Sequence, residues 1–274
     1  MANITELQFQ GDSTVHKLND ARITTTAVTN PTHILTTNSD VTTIAPITAA
    51  NLASALGVPK SSDELLVDLG LPSGNLWATR NVDVTRQNGF AASPYQYECS
   101  FFSWGNTEGK NPISKSAFDY NWGSSNEGPY ANTPGAALTG NAGLGYDAAF
   151  TNLGNSWRLP TTEDFKELFN SSNTKYVNAS GTEIADATNK LTTINGITGI
   201  CLMSKANGKT IFFPCSGSGD GTSWDNRGSG GNYWSSSLYS SARGRYLFFN
   251  SGSVDPQYYY FRFYGFAVRP VQVP

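Results

Sequence analysis

The C-terminal stretch that opens with Tyr233-Trp234-Ser235-Ser236-Ser237 and closes with Gly265-Phe266-Ala267-Val268-Arg269-Pro270 decides how the chain is read. Between its ends stand Tyr239, Tyr246, Phe248, Phe249, Tyr258, Tyr259, Tyr260, Phe261, Phe263 and Tyr264, separated mostly by Ser, Gly, Ala and Arg. Tyr258-Tyr259-Tyr260-Phe261 is an unbroken aromatic run, and neighbouring side chains on a strand point to opposite faces. Some of these rings therefore reach the surface unless the strand is buried on both sides. Tyr and Phe diluted by Ser, Gly and Arg is the composition of a binding face, in which rigid rings offer contact area at small entropic cost. The stretch reads as a binding surface.

Working back from it, Asn250-Ser251-Gly252-Ser253 turns one strand onto the next, and a glycine-rich loop over 216–231 leads in. Gly217-x-Gly219-x-Gly221 has no preceding βαβ context, so it reads as a flexible loop and not a phosphate cradle. Gly199–Met203 and Thr210–Pro214 form a hairpin across Asn207-Gly208, the strongest turn signal in the chain. Two helices precede this. Tyr146, Ala149, Phe150 and Leu153 fall at helical spacing before Gly154. Thr161 caps a second helix, with Glu163 and Asp164 in its first turn and Phe165, Leu168 and Phe169 as its buried stripe.

Further back, Leu65–Ala78 reads as two short strands around a Pro72-Ser73-Gly74 turn, and 99–145 as a long irregular excursion that includes Trp122. Residues 1–63 contain no Trp, Tyr or Cys and are rich in Thr, Asn and Ala; Thr48 caps a short helix carrying Leu52 and Leu56. So little apolar surface suits an attachment or oligomerisation segment that needs a partner, with the boundary at Pro59–Asp63. The core domain, 64–274, reads as α+β, two helices and an antiparallel sheet.

Of the 274 residues only 14% are charged, and the net charge of −3 supplies no basic stripe for a nucleic-acid backbone. No apolar run reaches the length of a membrane span, so membrane insertion is not expected. The opening Met1-Ala2-Asn3-Ile4-Thr5-Glu6 lacks a basic, then apolar, export signal. Cys99, Cys201 and Cys215 are an odd set without a CxxC pair; buried free thiols are expected, with a Cys201–Cys215 bridge as the alternative.

Val67-Asp68-Leu69-Gly70-Leu71-Pro72-Ser73-Gly74-Asn75-Leu76-Trp77-Ala78-Thr79, Phe102-Ser103-Trp104-Gly105, Trp157-Arg158-Leu159-Pro160-Thr161, Tyr233-Trp234-Ser235-Ser236-Ser237 and Val268-Arg269-Pro270-Val271 together resemble the "major paralogous domain" proteins of C-type-lectin-like fold. The resemblance keeps its order over residues 65–274 and implies a loop-rich C-type-lectin-like domain. The Trp-Arg-Leu-Pro-Thr and Gly-Phe-Ala-Val-Arg segments also resemble formylglycine-generating enzymes. Within that fold, the stretch over about 234–266 is similar to the variable region of proteins diversified by retroelements that mutate adenines, phage tropism determinants among them. Such diversification turns asparagine codons into Tyr, Phe, Ser, Asp, Arg, Gly or Ala and never into Lys, Glu, Met or Trp, and none of these last four occurs from Ser235 onward.

On that resemblance Arg243, Arg245, Tyr246, Phe248, Asp255, Tyr258, Tyr259, Tyr260, Phe261, Phe263 and Tyr264 are the candidate variable, ligand-binding positions. Trp234, Asn250, Gly252, Pro256, Arg262, Gly265, Val268 and Arg269 are the fixed frame. The implied protein is a receptor-binding tip of a phage tail fibre, assembled in the host cytoplasm. It would bind a bacterial surface protein or glycan and oligomerise through 1–63, with a trimer among the options. A bacterial cell-surface adhesin is the first alternative.

A formylglycine-generating enzyme is disfavoured because no cysteine follows Cys215. Calcium-dependent sugar binding is disfavoured because Asp255-Pro256-Gln257 and Trp224-Asp225-Asn226 are in the wrong order for the lectin motifs. His16 and His33 stand apart from carboxylate or cysteine partners. Neither a catalytic constellation, nor a cofactor, nor a metal site is expected.

Overall fold

The computed structural model of the protein describes residues 6–9, 16–17, 34–35, 65–110, 138, 144–185, 188–220 and 223–272. The helix expected from Thr48 and the part of the 99–145 excursion that holds Trp122 lie outside them. The chain divides into two compact units, Met1–Asp63 and Glu64–Pro274. In the first, β1 (Glu6–Phe9) pairs antiparallel with both β2 (His16–Lys17) and β3 (Ile34–Leu35), giving a sheet of order β2-β1-β3.

The second unit begins with β4 (Leu66–Asp68) and β5 (Leu76–Ala78), joined across the Pro-Ser-Gly turn by a bond from Gly74 N–H to the Leu71 carbonyl. Next come helix α1 (Ala148–Leu153), β6 (Trp157–Arg158) and helix α2 (Thr162–Leu168). Then β7 (Thr174–Tyr176), β8 (Thr192–Ile194), β9 (Ile197–Ser204) and β10 (Thr210–Pro214) form one antiparallel sheet around β9. A small hairpin of β11 (Ser218–Asp220) and β12 (Ser223–Asp225) precedes β13 (Gly230–Ser240), β14 (Arg243–Asn250) and β15 (Val254–Phe261). Finally β16 (Val271–Gln272) inserts between β5 and β6.

The expected α+β, two-helix C-type-lectin-like architecture is corrected by this arrangement. Strand accounts for 42% of the described structure and helix for 10%, in several antiparallel sheets. The helical periodicities are real, but α1 and α2 span six and seven residues, under two turns each. Helices that short are held by caps and packing and do not build a layer. Thr161 and Asp164 form a full capping box at α2, whose Phe165 and Leu168 are buried as expected. The first helix starts later than its periodicity suggests, because the Asp147 carboxylate accepts from Ala149 and Phe150 N–H and so places the cap there.

The glycine-rich segment is also corrected: Ser218–Asp220 pairs antiparallel with Ser223–Asp225, and Gly219 exchanges both backbone bonds with Gly265. Gly217 has φ +79°, and a Cβ there would stand 2.3 Å from the Asp225 carbonyl.

Two large apolar clusters result. One joins Trp77, Phe165, Leu168, Phe213, Tyr233, Leu247 and Phe249; the other joins Trp104, Trp157, Trp234, Tyr246 and Phe266. They contact opposite faces of the β13–β15 sheet, since Tyr233 and Leu247 are register partners, as are Trp234 and Tyr246. No helix among the described residues is long and apolar enough to cross a membrane.

Candidate ligand-binding face

The sheet has the order β13-β14-β15, so β14 is central. Along β13 the segment Phe266–Ala267 runs as a further backbone partner: Trp234 N–H donates to the Ala267 carbonyl, and Ala267 N–H donates to that of Asn232. Asn250 turns β14 into β15 with its side-chain oxygen accepting from Gly252 and Ser253 N–H. Between the pairs Tyr246–Tyr258 and Phe248–Asp255 the register shifts, because β15 carries one more residue there, at Pro256-Gln257. A proline has no N–H to lose from the ladder and suits a bulge.

This bulge and the frame around it set which rings are covered. Tyr246, 4% exposed, lies beneath the face and is corrected from a surface position. Its ring packs against Trp234 and Phe266 and meets Tyr258 edge-on at 5.7 Å. Burial first, then the nearby Tyr258, Tyr260 and Asp255, push its phenol well above the usual range. Over it, Tyr258 is 44% and Tyr260 37% exposed. Phe248 and Tyr264 are half-buried beside them, with Tyr260 and Tyr264 edge to face at 4.5 Å.

The other side carries a pile of alternating cations and rings. The Arg245 guanidinium lies 5.0 Å from the Tyr239 ring centre. Tyr239 stacks on Tyr259 at 3.8 Å with the planes 1° apart. Arg243 sits 5.5 Å from Tyr259 and 4.7 Å from Phe261, and Phe261 stacks with Phe263. Arg245 also donates to the Gln257 carbonyl. Asp255, half-buried, accepts from Gln257 N–H. Tyr239, 42% exposed, was not among the candidate positions expected from sequence, although it stands at the end of β13 in the same aromatic series.

Of the expected frame residues, Trp234, Arg262, Gly265, Val268 and Arg269 lie inside, Asn250 and Pro256 are half-buried and Gly252 is exposed. Arg262 is 2% exposed; it stacks over Trp104 and donates to the Ser241 carbonyl, closing the β13–β14 turn. Arg269, fully buried, donates to Asn81 Oδ1 and to the Ala78 and Phe212 carbonyls and lies 4.6 Å over Phe213. Burial brings its guanidinium down to about 10. Cys99, Cys201 and Cys215 are all buried and free, so the bridged alternative does not hold.

Away from this face, Pro72, Ser73, Glu163, Glu167, Asn170 and Asn173 line an open groove beside α2, where Ser73 donates to Glu167 through both N–H and hydroxyl. No protein-family model, curated protein or solved structure matches the chain.

Proposed function

We propose that the protein is a receptor-binding protein whose β13–β15 sheet presents a tyrosine-rich contact face to a bacterial surface ligand. The observation that supports this most is the exposure of Tyr258 and Tyr260 on one side of the sheet and of Tyr239 on the other, on strands anchored by the buried Tyr233, Trp234, Tyr246, Leu247 and Phe249. An aromatic on a rigid strand gives up little conformational freedom on binding, so its contact area is converted efficiently to affinity. The surrounding Trp104, Trp234, Arg262 and Arg269 hold the backbone while the outward positions differ in chemistry. That division of labour suits a face diversified by a retroelement at the tip of a phage tail fibre. On this reading the Met1–Asp63 unit serves attachment and self-association, and several copies raise modest single-site affinity by avidity.

Two experiments test it. Binding of the full chain to bacterial surface fractions is compared with that of Tyr258→Ala and Tyr260→Ala; equal binding by all three moves the site elsewhere. The 3′ end of the gene is sequenced deeply in a replicating population with its flanking DNA. Substitutions at asparagine-type codons beside a near-copy template support diversification. A uniform sequence without a template removes it and leaves a cell-surface adhesin as the better account.

A further inference from the structure

The arginine pile on the β13–β15 sheet carries a charge that the sheet does not answer. Arg243 and Arg245 alternate along β14 and so fall on one side of it. Neither enters an ion pair with a described residue; pairs such as Arg158–Asp164, Lys175–Glu183 and Arg227–Glu98 lie elsewhere. The three strands contain a single carboxylate, Asp255, and it is turned to the N–H of Gln257 on its own strand. Both arginines are half-buried, with their guanidinium groups over rings at 4.7–5.5 Å from the ring centres.

A guanidinium held over a ring still has N–H groups for hydrogen bonding; Arg245 spends Nη1 on the Gln257 carbonyl and keeps the others, and such groups match the two oxygens of a carboxylate. Stacking also covers the broad faces of Tyr239 and Tyr259, which lie 3.8 Å apart. A pyranose ring needs an open aromatic face to lie on, and this side offers edges, hydroxyls and N–H groups instead. We infer that the Arg243–Arg245 side of the sheet selects an acidic protein surface, engaging Asp or Glu side chains through its two guanidinium edges. This rests on the reading of the sheet as the ligand-binding face and specifies the partner's chemistry.

Selection of a displayed random-peptide library on the full chain tests it, with polygalacturonate as the acidic-polysaccharide probe. The peptides retained are expected to be enriched in Asp and Glu and to be released by salt. Arg243→Gln and Arg245→Gln are each expected to weaken the best peptide about tenfold, with Arg245→Lys failing to restore it because an ammonium lacks the planar fork. Thermal melting confirms that each variant is folded; the two side chains are half-exposed, so Arg→Gln and Arg→Lys both leave the core alone. Peptides without acidic enrichment, unchanged affinity in both Arg→Gln variants, or arginine-dependent binding of polygalacturonate but not of peptides would each overturn the inference. Loss of binding in Tyr239→Ala, which shares this side of the sheet, with none in the arginine variants keeps the face and removes its acidic preference. Binding that survives all of these substitutions removes the face as well.

Discussion

Trp104 and Trp234 are cross-tied: the indole of Trp104 donates to the Ser235 carbonyl at 2.8 Å, and that of Trp234 donates to the Phe102 carbonyl at 2.7 Å. Each tryptophan thus holds the backbone within two residues of the other, and both are buried. Polar atoms and ring area act in the same direction, because a buried indole N–H is costly unless it finds an acceptor. The tie fixes β13 against the Phe102–Trp104 segment and sets the level at which the outward rings sit.

Trp104 also fills the space over Gly244, where an added Cβ would stand 2.4 Å from its ring. Gly244→Ala is therefore expected to destabilise the second unit by about 1–3 kcal/mol through overpacking. Ser251→Ala, in the exposed turn after β14, should change stability by less than about 0.5 kcal/mol. Urea unfolding followed by tryptophan fluorescence distinguishes them; equal midpoints would show that Trp104 moves aside freely.

Arg269 serves three acceptors from one buried site, and no other residue type reaches them together. Arg269→Met leaves Asn81 and two carbonyls without a donor, and Arg269→Lys supplies a point charge that cannot span them. Both variants are expected to lose roughly 3 kcal/mol or more in chemical denaturation. A lysine variant as stable as the wild type would mean that charge, and not the fork, is what the site uses.

Asp147 caps α1 and also accepts from Leu159 N–H, all from a buried position. Burial raises its carboxyl to about 6, outweighing the three N–H donors and the nearby Arg158, which act to lower it. A folded-state value above the ordinary carboxylate range means that the folded chain holds this proton more tightly than the unfolded one. The associated stabilisation is complete below about pH 4 and is lost as pH rises through about 6. The stability gap between wild type and Asp147→Asn should therefore move in favour of wild type by up to roughly 3 kcal/mol between neutral pH and about pH 4. A gap that stays constant over that range would place the titration elsewhere.

The thiols give a direct check on packing. Burial pushes Cys99 and Cys215 up to about 12 and Cys201 to about 11, so none is a thiolate near neutral pH. Iodoacetamide is expected to leave the folded protein unmodified and to add to all three cysteines in denaturant, as read by intact mass. A single adduct in denaturant without reductant would reveal a bridge that the structure does not contain.

Local chemistry was the most legible part of this chain. Asn207-Gly208 and Asn250–Ser253 announce their hairpins because few residues accept those backbone angles or offer those side-chain acceptors; Gly208 has φ +74°. Thr161 announces its helix because Thr, Glu and Asp in that order satisfy a helix start. The strand-rich character of the unit was less legible. Strands β4, β5, β6 and β16 are two or three residues long, too short to show an alternation, whereas a few apolar residues at helical spacing already look like an amphipathic helix.

Within the face, parity along β14 separates Arg243 and Arg245 from Tyr246 but does not say which parity is covered. Tyr246 is buried because Trp234 and Phe266 close over it, and those contacts are made by distant segments. Tyr239 could have been found from its place at the end of the aromatic series; its stacking on Tyr259 depends on the register shifts in β13, which leave no mark in composition.

The insertion of β16 between β5 and β6 has a consequence for when the protein can fold. Arg269 and Asn81, which meet beside that insertion, lie 188 positions apart in the chain. A nascent chain emerging from the ribosome therefore holds β5 and β6 without the strand that joins them until Val271 and Gln272 have been made. Contacts of such long sequence separation close slowly, and the tyrosine-rich strands are synthesised before the sheet that anchors them exists. The sheet of β4, β5, β16 and β6 therefore closes only after the aromatic strands have been made, and until it closes their rings lack part of the packing that the finished unit gives them.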